Sequence, residues 1–579
     1  MKFGEVADYF EAIEQTSGRL KITQLLAELL GRASAQDARI ICDLSLGQLH
    51  PPHIGTQFNV AEKNLIKVVA QLTGEALDSV KQALRSRGDL GAVLETGAWH
   101  TNNGMTVFDV YTALCAIEAV SGTGAQEEKN QMIADLLQRL EPFAAKYVLR
   151  VIIGKLRLGF SDMTLVDALS WMKAGDKSLR PIIENAYNIC ADIGFIAETL
   201  KKEGLEALKD MKIHIGVPVL PAAAERLPTA KAIIQKIGSC VAQPKLDGFR
   251  LQVQVDKTKK EPRVFFFSRN LSDMSHMFPD LKQAVIQMPV ETFICEGEAI
   301  VYDRDTGTFL PFQETVKRKR KHGVEKAAQD MPLQLFLFDL LYLNGKDLLN
   351  ETHIKRRQLL LSVFKEFQSD VIHPIEEVKV ETAQELETYF NQNISAGLEG
   401  LVVKREDSTY QPGKRNFNWI KLKRQEEGHL DDTIDCVILG YYYGSGKRAE
   451  FGIGAFLVGV YNKEEDLFQT IAKVGTGLKD ADWKDLKQQC DAIAVKDQPK
   501  EVVCNKQLYP DVWVAPELVC LIRADEITLS PVHAAGKTET DLGFALRFPR
   551  FMGYRDDKSA EEATTVDEIK HMYAQQYRA

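Results

Sequence analysis

From residue 1 to about residue 215 the apolar positions recur at helical spacing, as in Ile22, Leu25, Leu26, Leu29 and Leu30. That is the stripe an amphipathic helix turns toward a core. Strand-like alternation is scarce there, and turn chemistry at Pro51-Pro52, Arg87-Gly88-Asp89-Leu90-Gly91 and Ser121-Gly122-Thr123-Gly124 punctuates the helices. The regime ends at Val217-Pro218-Val219-Leu220-Pro221, where two prolines impose an extended backbone on the residues before them. Between 216 and 425 helices mix with β-type runs, at Val264 to Phe267, Phe293 to Cys295, Leu335 to Leu343 and Leu401 to Val403. Beyond 426, runs at Val437 to Leu439, Phe456 to Val460 and Leu518 to Ile522 alternate with glycine-rich turns, and Val566 to Tyr577 reads as a closing helix. The pattern predicts a multidomain α+β chain: an all-α domain at 1–215, an α+β domain at 216–425, and a small β-barrel with a C-terminal helix at 426–579. No internal repeat or low-complexity tail interrupts it.

Composition narrows the class. A chain of 579 residues that is 45% hydrophobic has material for several cores, about three to five domains at the usual domain size. The N-terminus, Met1-Lys2-Phe3-Gly4-Glu5, is not a basic region followed by an apolar stretch, and no run of some 18 apolar residues occurs. Secretion and membrane insertion are therefore not expected. Nine dispersed cysteines form no C-x-x-C pair, which fits a reduced cytoplasmic chain without structural zinc. A net charge of −9 argues against indiscriminate nucleic-acid binding only, because basic residues gathered on one concave face still bind phosphate.

The candidate nucleophile is Lys245, in Lys245-Leu246-Asp247-Gly248 just before the period-two run Phe249 to Val255. A lysine amine is mostly protonated at neutral pH, so nucleophilic use calls for burial or neighbouring cations. Lys421 and Lys423 alternate in Trp419-Ile420-Lys421-Leu422-Lys423 and share one strand face; they either converge on a phosphate or line a solvated surface. Glu298 and Glu399 read as ordinary turn acids or as hard oxygen ligands for Mg²⁺, which often takes only one or two protein carboxylates. Phe338 reads as core or as a platform for a purine base.

Taken in order, these elements resemble the ATP-dependent DNA ligases of the covalent nucleotidyltransferase superfamily, most closely the archaeal-type replicative ligases. The resemblance runs nearly end to end. Its motifs stand here as Lys245-Leu246-Asp247-Gly248-Phe249-Arg250, Ser268-Arg269-Asn270, Glu296-Gly297-Glu298, Phe338-Asp339-Leu340-Leu341-Tyr342-Leu343-Asn344-Gly345, Leu398-Glu399-Gly400-Leu401-Val402-Val403-Lys404, and Trp419-Ile420-Lys421-Leu422-Lys423. A C-terminal one follows, Arg547-Phe548-Pro549-Arg550 running to Arg555-Asp556-Asp557-Lys558. The resemblance implies a helical DNA-binding domain, a nucleotidyltransferase domain and an OB-fold, the five-strand scale of an oligonucleotide-binding barrel.

It also implies roles. Lys245 would attack the α-phosphorus of ATP to give a lysine-linked AMP, and Asp247 would orient the incoming DNA hydroxyl. Gln243 would read the adenine edge, at a position where many relatives carry Glu, and Phe338 would stack on the purine. Arg250, Arg269 and Glu298 would hold the ribose and nearby phosphate, while Arg415, Lys421 and Lys423 would neutralise the α-phosphate as charge develops. Glu399, with Glu298, would bind Mg²⁺, Mn²⁺ being a substitute. Arg555, Asp557 and Lys558 would close over the β- and γ-phosphates. Gly553 stands where relatives often carry a basic residue.

In the helical third, Gly122, Gly124, Lys155 and Arg157 would grip DNA phosphates, their other reading being helix connections with incidental charge. The basic run Lys317-Arg318-Lys319-Arg320-Lys321 reads as a solvated helix face, a localisation signal or a DNA contact, the first and last being favoured. Trp513 and Lys447-Arg448 either face the duplex or, for Trp513, sit buried.

The expected activity is sealing of nicks in duplex DNA, with replication, repair and recombination as the processes it would serve. The expected protein is a cytoplasmic monomer, nucleoid-associated in a prokaryote, working on nicked duplex DNA. A sliding clamp is a partner by family analogy, although no convincing Q-x-x-apolar-x-x-aromatic-aromatic peptide is present. RNA ligases and capping guanylyltransferases share the central motifs but not the helical front, and a non-catalytic DNA-binding scaffold would not keep every reactive position occupied. The NAD-using ligases carry a four-cysteine zinc site that this chain lacks. ADP and GTP stay open as additional donors.

Overall fold

A computed structural model of the chain describes residues 1–16, 18–101, 104–156, 158–303, 308–310, 315, 318, 323–396, 398–423, 433–556 and 558–576. The chain divides into two compact units, one formed by Met1–Glu62 with Trp99–Arg424, the other by Lys63–Ala98 with Gln425–Ala579.

In the first unit, helices follow one another from Phe3–Glu14 to Ala35–Ser45 and again from Val107–Ala119 to Leu205–Lys209. Their ends carry the expected caps: Ser34 accepts the Asp37 N–H at 3.0 Å, and Thr106 and Asp109 cap each other reciprocally. The helix Pro142–Ile153 starts on proline and ends at Gly154 with φ +75°. Its inner face is charged as well as apolar. Lys146 pairs with Glu11 at 2.7 Å and Arg150 with Glu14 at 2.8 Å, while the buried Tyr147 hydroxyl donates to Glu11. Hydrophobic periodicity predicts the helices but not these buried pairs.

After the proline segment at 217–221 the unit changes to two sheets. Its strands are β1 (Ala223–Arg226), β2 (Cys240–Pro244), β3 (Phe249–Asp256), β4 (Arg263–Ser268), β5 (Thr292–Asp303), β6 (Thr308–Phe309), β7 (Leu333–Leu343), β8 (Lys346–Asp347), β9 (Ile372–Pro374), β10 (Val378–Val380), β11 (Gly400–Lys404) and β12 (Arg415–Lys423). One sheet runs β1-β12-β11-β2-β10; the other runs β4-β3-β5-β7-β8, with β6 on β5 and β9 on β7. Leu251, Val253, Val255, Phe293 and Leu335 fill the core of the second sheet, and Ala242, Leu401, Val403 and Ile420 that of the first. The chain crosses between the sheets from β2 to β3, at Lys245–Gly248.

β3 alternates apolar and polar residues, and both its faces are buried. Gln252 exchanges hydrogen bonds with the Val219 backbone, at 2.9 Å each way. Gln254 accepts from Gly216 N at 2.7 Å and donates to Val217 O at 3.0 Å. The two amides give the proline segment the backbone partners it cannot find within a strand.

A buried ion cluster links the sheets. Asp339 on β7 accepts from Arg356 Nε at 2.7 Å and Nη2 at 3.1 Å, with Lys404 Nζ of β11 at 3.6 Å. All three side chains are fully buried. Burial alone would raise the Asp339 pKa, but Arg356 and Lys404 hold it well below the usual range. The basic run also departs from expectation: Arg318 is buried and paired with Asp280 at 2.7 Å, so at that position it is neither a solvated face nor a DNA contact. Lys317, Lys319, Arg320 and Lys321 lie outside the described residues.

The second unit holds the barrel strands β13 (Ile434–Tyr442), β14 (Ala455–Asn462), β15 (Leu467–Val474), β16 (Ala494–Val495), β17 (Val502–Val503), β18 (Val512–Val514), β19 (Val519–Arg523), β20 (Glu526–Ser530), β21 (Gly543–Arg547) and β22 (Arg550–Tyr554), with a helix at Val566–Gln576. Trp513 is 7% exposed and packs edge-on to Tyr509, so it is a core residue. Arg448 donates to Gly454 O at 2.8 Å and lies over the Trp483 ring. The Lys447 side chain lies outside the described residues. Among the described residues no helix is long and apolar enough to cross a membrane.

Two stability effects are expected. Arg356→Met strands the Asp339 carboxylate in a dry interior and should cost about 3–5 kcal/mol, read by urea denaturation; a change within about 0.5 kcal/mol would refute the cluster's role. In the barrel, burial pushes the His533 pKa down to about 4. The unfolded chain takes up this proton near pH 6.5 and the folded chain only near 4, so the stabilising effect is complete above about 6.5 and is lost as pH falls toward 4. Denaturation of the barrel at pH 7.5 and pH 5 should show a loss on the order of 2 kcal/mol that His533→Gln reduces.

Candidate active site

The crossing at Lys245–Gly248 opens onto a cavity of about 660 Å³ lined by both sheets, within the size range of small-molecule sites. Lys245 is placed by its backbone, whose N–H donates to Gly400 O at 2.9 Å, and by an ion pair between its ammonium and Glu399. Glu399 also meets Lys423 Nζ at 3.2 Å. Register explains the meeting, since Gly400 on β11 lies opposite Lys423 on β12 and Leu401 opposite Pro244 on β2. Burial alone would raise the Glu399 pKa, but Lys245 and Lys423 hold it low.

Glycine is required twice in this arrangement. A Cβ on Gly248 would stand 2.3 Å from Ala299 O, and one on Gly400, whose φ is +138°, would stand 2.2 Å from Leu422 O. Both backbones run too close to a neighbouring strand for any side chain.

Of the residues the sequence singles out, Gln243, Lys245, Asp247, Arg250, Arg269, Glu298, Phe338, Glu399, Arg415, Lys421 and Lys423 all line this one cavity. Lys421 is pushed below the usual lysine pKa by burial and by Lys423, Arg415, Lys245 and Arg269 around it. Glu298 accepts the Gly248 N–H at 3.0 Å, and burial raises its pKa to about 7, Lys245 acting the other way. Arg250 is turned inward: Nη2 reaches both Glu296 oxygens at 2.9 and 2.8 Å, and the guanidinium lies 5.5 Å from the Phe338 ring centroid and 5.7 Å from that of Trp419. Glu296 is also tied to the Tyr410 hydroxyl at 2.7 Å.

Sequence reasoning passes over several residues that build the site. Lys404 donates to Phe338 O at 2.8 Å and sits 4.1 Å from the Trp419 ring centroid, and burial lowers its pKa to about 8. Lys404 and Trp419 stand inside quoted motifs. Glu377, which accepts from Gln243 Nε2 at 2.6 Å, and His353, joined to Glu377 at 2.9 Å, stand in none.

The remaining predicted residues lie elsewhere. Arg555 and Lys558 both pair with Asp435 on β13, Arg555 Nη1 at 3.0 Å and Lys558 Nζ at 2.6 Å. Gly122 and Gly124 are exposed with φ of +96° and +84°, and Gly124 precedes the helix Ala125–Gln138. Lys155 is exposed. Asp557 and Arg157 lie outside the described residues.

Three family models match the chain: DNA ligase N terminus over residues 2–170, ATP dependent DNA ligase domain over 221–423, and ATP dependent DNA ligase C terminal region over 449–558. The chain is 44% identical to a probable DNA ligase of Dictyoglomus turgidum, over 99% of this chain and 97% of that one. It is 39% identical to DNA ligase 2 of Thermofilum pendens and 36% identical to the DNA ligase of Saccharolobus solfataricus, each over 100% of this chain and 98% of the relative. Among solved structures, Pmar-Lig_PreS3 is similar in fold, with a TM-score of 0.56 at 17% identity over 95% of this chain and 99% of that one. The three matched models and the full-length relatives agree, and the chain belongs to the ATP-dependent DNA ligases, enzymes that seal nicks in DNA.

Proposed function

We propose that Lys245 carries the nucleotide through the reaction. The amine attacks the α-phosphorus of ATP, the bond to the bridging oxygen breaks, and pyrophosphate leaves with the electron pair, giving a lysine-linked AMP. AMP then passes to the 5′-phosphate at a nick, and the 3′-hydroxyl displaces AMP as the strand closes. The observation that carries this reading is the placement of the Lys245 ammonium in a cavity with Phe338 on its wall and Arg269, Arg415, Lys421 and Lys423 around it. Phosphoryl transfer depends on positioning and on neutralising equatorial charge, which fixed cations supply without reorganising.

Phe338 offers a face for the purine, and Gln243 a polar edge beside it. Glu298 and Glu399 are the residues that would hold a divalent cation. Glu298 fits that role as a carboxylate buried on a single backbone N–H, a charge deficit that a cation relieves. Among the described residues no group of three or more His, Cys, Asp or Glu converges, which favours Mg²⁺ or Mn²⁺ completed by water and phosphate over a closed protein cage. Such a cation supplies charge neutralisation at the phosphates. Asp247 is assigned the 3′-hydroxyl, and Arg250 the ribose side of the cavity through its fixed guanidinium. Arg555, Asp557 and Lys558 are assigned the β- and γ-phosphates; for Arg555 and Lys558 that role means leaving Asp435. Lys155 and the amides of Gly122 and Gly124 are assigned to DNA phosphates, contacts that hold the duplex without reading its sequence.

Incubation with α-labelled ATP and Mg²⁺ should label the wild-type protein covalently, and Lys245→Ala should give no label and seal no nicks. Label persisting in that variant would remove Lys245 from its role. Gly248→Ala drives a methyl group into Ala299 O and should lower the labelling rate at least about a hundredfold, because a displacement near 1 Å at the nucleophile costs that much. Its folding, followed by circular dichroism, is expected to hold; labelling within threefold of wild type would show that the tight crossing is not needed.

A further inference from the structure

The polarity of the amide at Gln243 is settled by what lies behind it. Nε2 donates to Glu377 Oε2 at 2.6 Å and to Phe338 O at 3.3 Å. A carboxylate and a backbone carbonyl are both acceptors only, so the NH₂ end alone can face them. Glu377 is itself restrained: His353 Nε2 bonds the same Oε2 at 2.9 Å and Arg357 Nε lies 3.8 Å from Oε1. Burial would favour the protonated acid, but His353, Arg357 and Lys404 hold it in the ionised form. With both amide hydrogens committed inward, Oε1 is the polar atom that this cavity-lining side chain has left for a ligand.

We propose that Glu377 is a positioning residue that fixes Gln243 with its carbonyl oxygen toward the nucleobase, so that the site takes a 6-aminopurine donor and rejects a 6-oxopurine. The inference rests on the reading of the cavity as the nucleotide site. An amino group at C6 donates to Oε1, whereas an oxo group sets two acceptors face to face. A free glutamine would not discriminate, since a turn about its last bond presents NH₂ instead. The selectivity therefore resides in the Glu377 charge, which makes that turn costly. A glutamate in place of Gln243 would need no such partner, having no donor to present.

The test compares ATP with inosine triphosphate, which differs at the 6 position, in covalent labelling of the full-length protein. The wild type should favour ATP by roughly 10- to 100-fold in kcat/KM. Glu377→Gln, which can accept or donate, should bring the two within about threefold, mainly through KM with kcat for ATP little changed. The double variant Gln243→Glu with Glu377→Gln reverses the donor and acceptor of the pair and should restore the preference for ATP. A wild type that uses inosine triphosphate as well as ATP overturns the proposal, as does Glu377→Gln with the wild-type ratio. If Glu377→Gln does not fold, Glu377→Asp replaces it, and an unchanged ratio there also overturns the proposal. A wild type labelled by neither nucleotide would instead overturn the reading of the cavity on which the proposal depends.

Discussion

The ion cluster around Asp339 is the constraint on which the lysine-lined cavity depends. Asp339 follows Phe338 on β7, Lys404 ends β11, and Arg356 comes from the helix His353–Phe364, so one carboxylate ties two sheets and a helix at a single point. Two cations on one anion leave an excess positive charge in a dry place, and Glu377 and Glu296 offset it. Such a cluster adds little net stability compared with apolar packing, since desolvation consumes most of the attraction. What it adds is geometry. Lys404 bonds the Phe338 carbonyl while its charge lies against the Trp419 ring, so the aromatic wall is held from its backbone outward. An apolar plug of equal volume would fill the space without fixing that carbonyl.

Lys245 is held by the opposite device, backbone proximity. Lys245 leaves β2 hydrogen-bonded to Gly400, and three residues later Gly248 passes so close to Ala299 that no Cβ fits. The loop is therefore pinned to a strand of each sheet. Its ammonium projects into the cleft between them, where Glu399 receives it. The same carboxylate bridges to Lys423, so the site is charge-paired within itself before any phosphate arrives, and a bound anion would compete with Glu399 for both lysines.

Much of this was legible in the sequence, for a physical reason. Lys245, Glu298, Phe338, Glu399 and Lys421 sit on strands or at their ends, where local pattern places a side chain to within one face, and one cavity receives them all. The misses share a different cause. Arg318, in a run of like charges, reads as surface, yet Asp280, 38 residues earlier in the chain, meets it in the interior. Gln252 and Gln254 alternate with apolar residues in the period-two run, and the proline segment covers them. Trp513 reads as interface or core, and at 7% exposure it is core. Glu377 and His353 carry no local signature, because their roles arise from residues 134 and 24 positions away along the chain. Pattern reports which face a side chain takes; it does not report what folds over that face.

The charge balance shows why net charge misleads for such a chain. The protein as a whole carries −9, yet the cavity at Lys245 is lined by seven cations, Lys245, Arg250, Arg269, Lys404, Arg415, Lys421 and Lys423, against three carboxylates, Asp247, Glu298 and Glu399. Two of the seven are spent on structure: Arg250 on Glu296 and Lys404 on Asp339. The five that remain exceed the three acids by two, an imbalance suited to a polyphosphate tail, and low-dielectric walls concentrate their field where water is scarce.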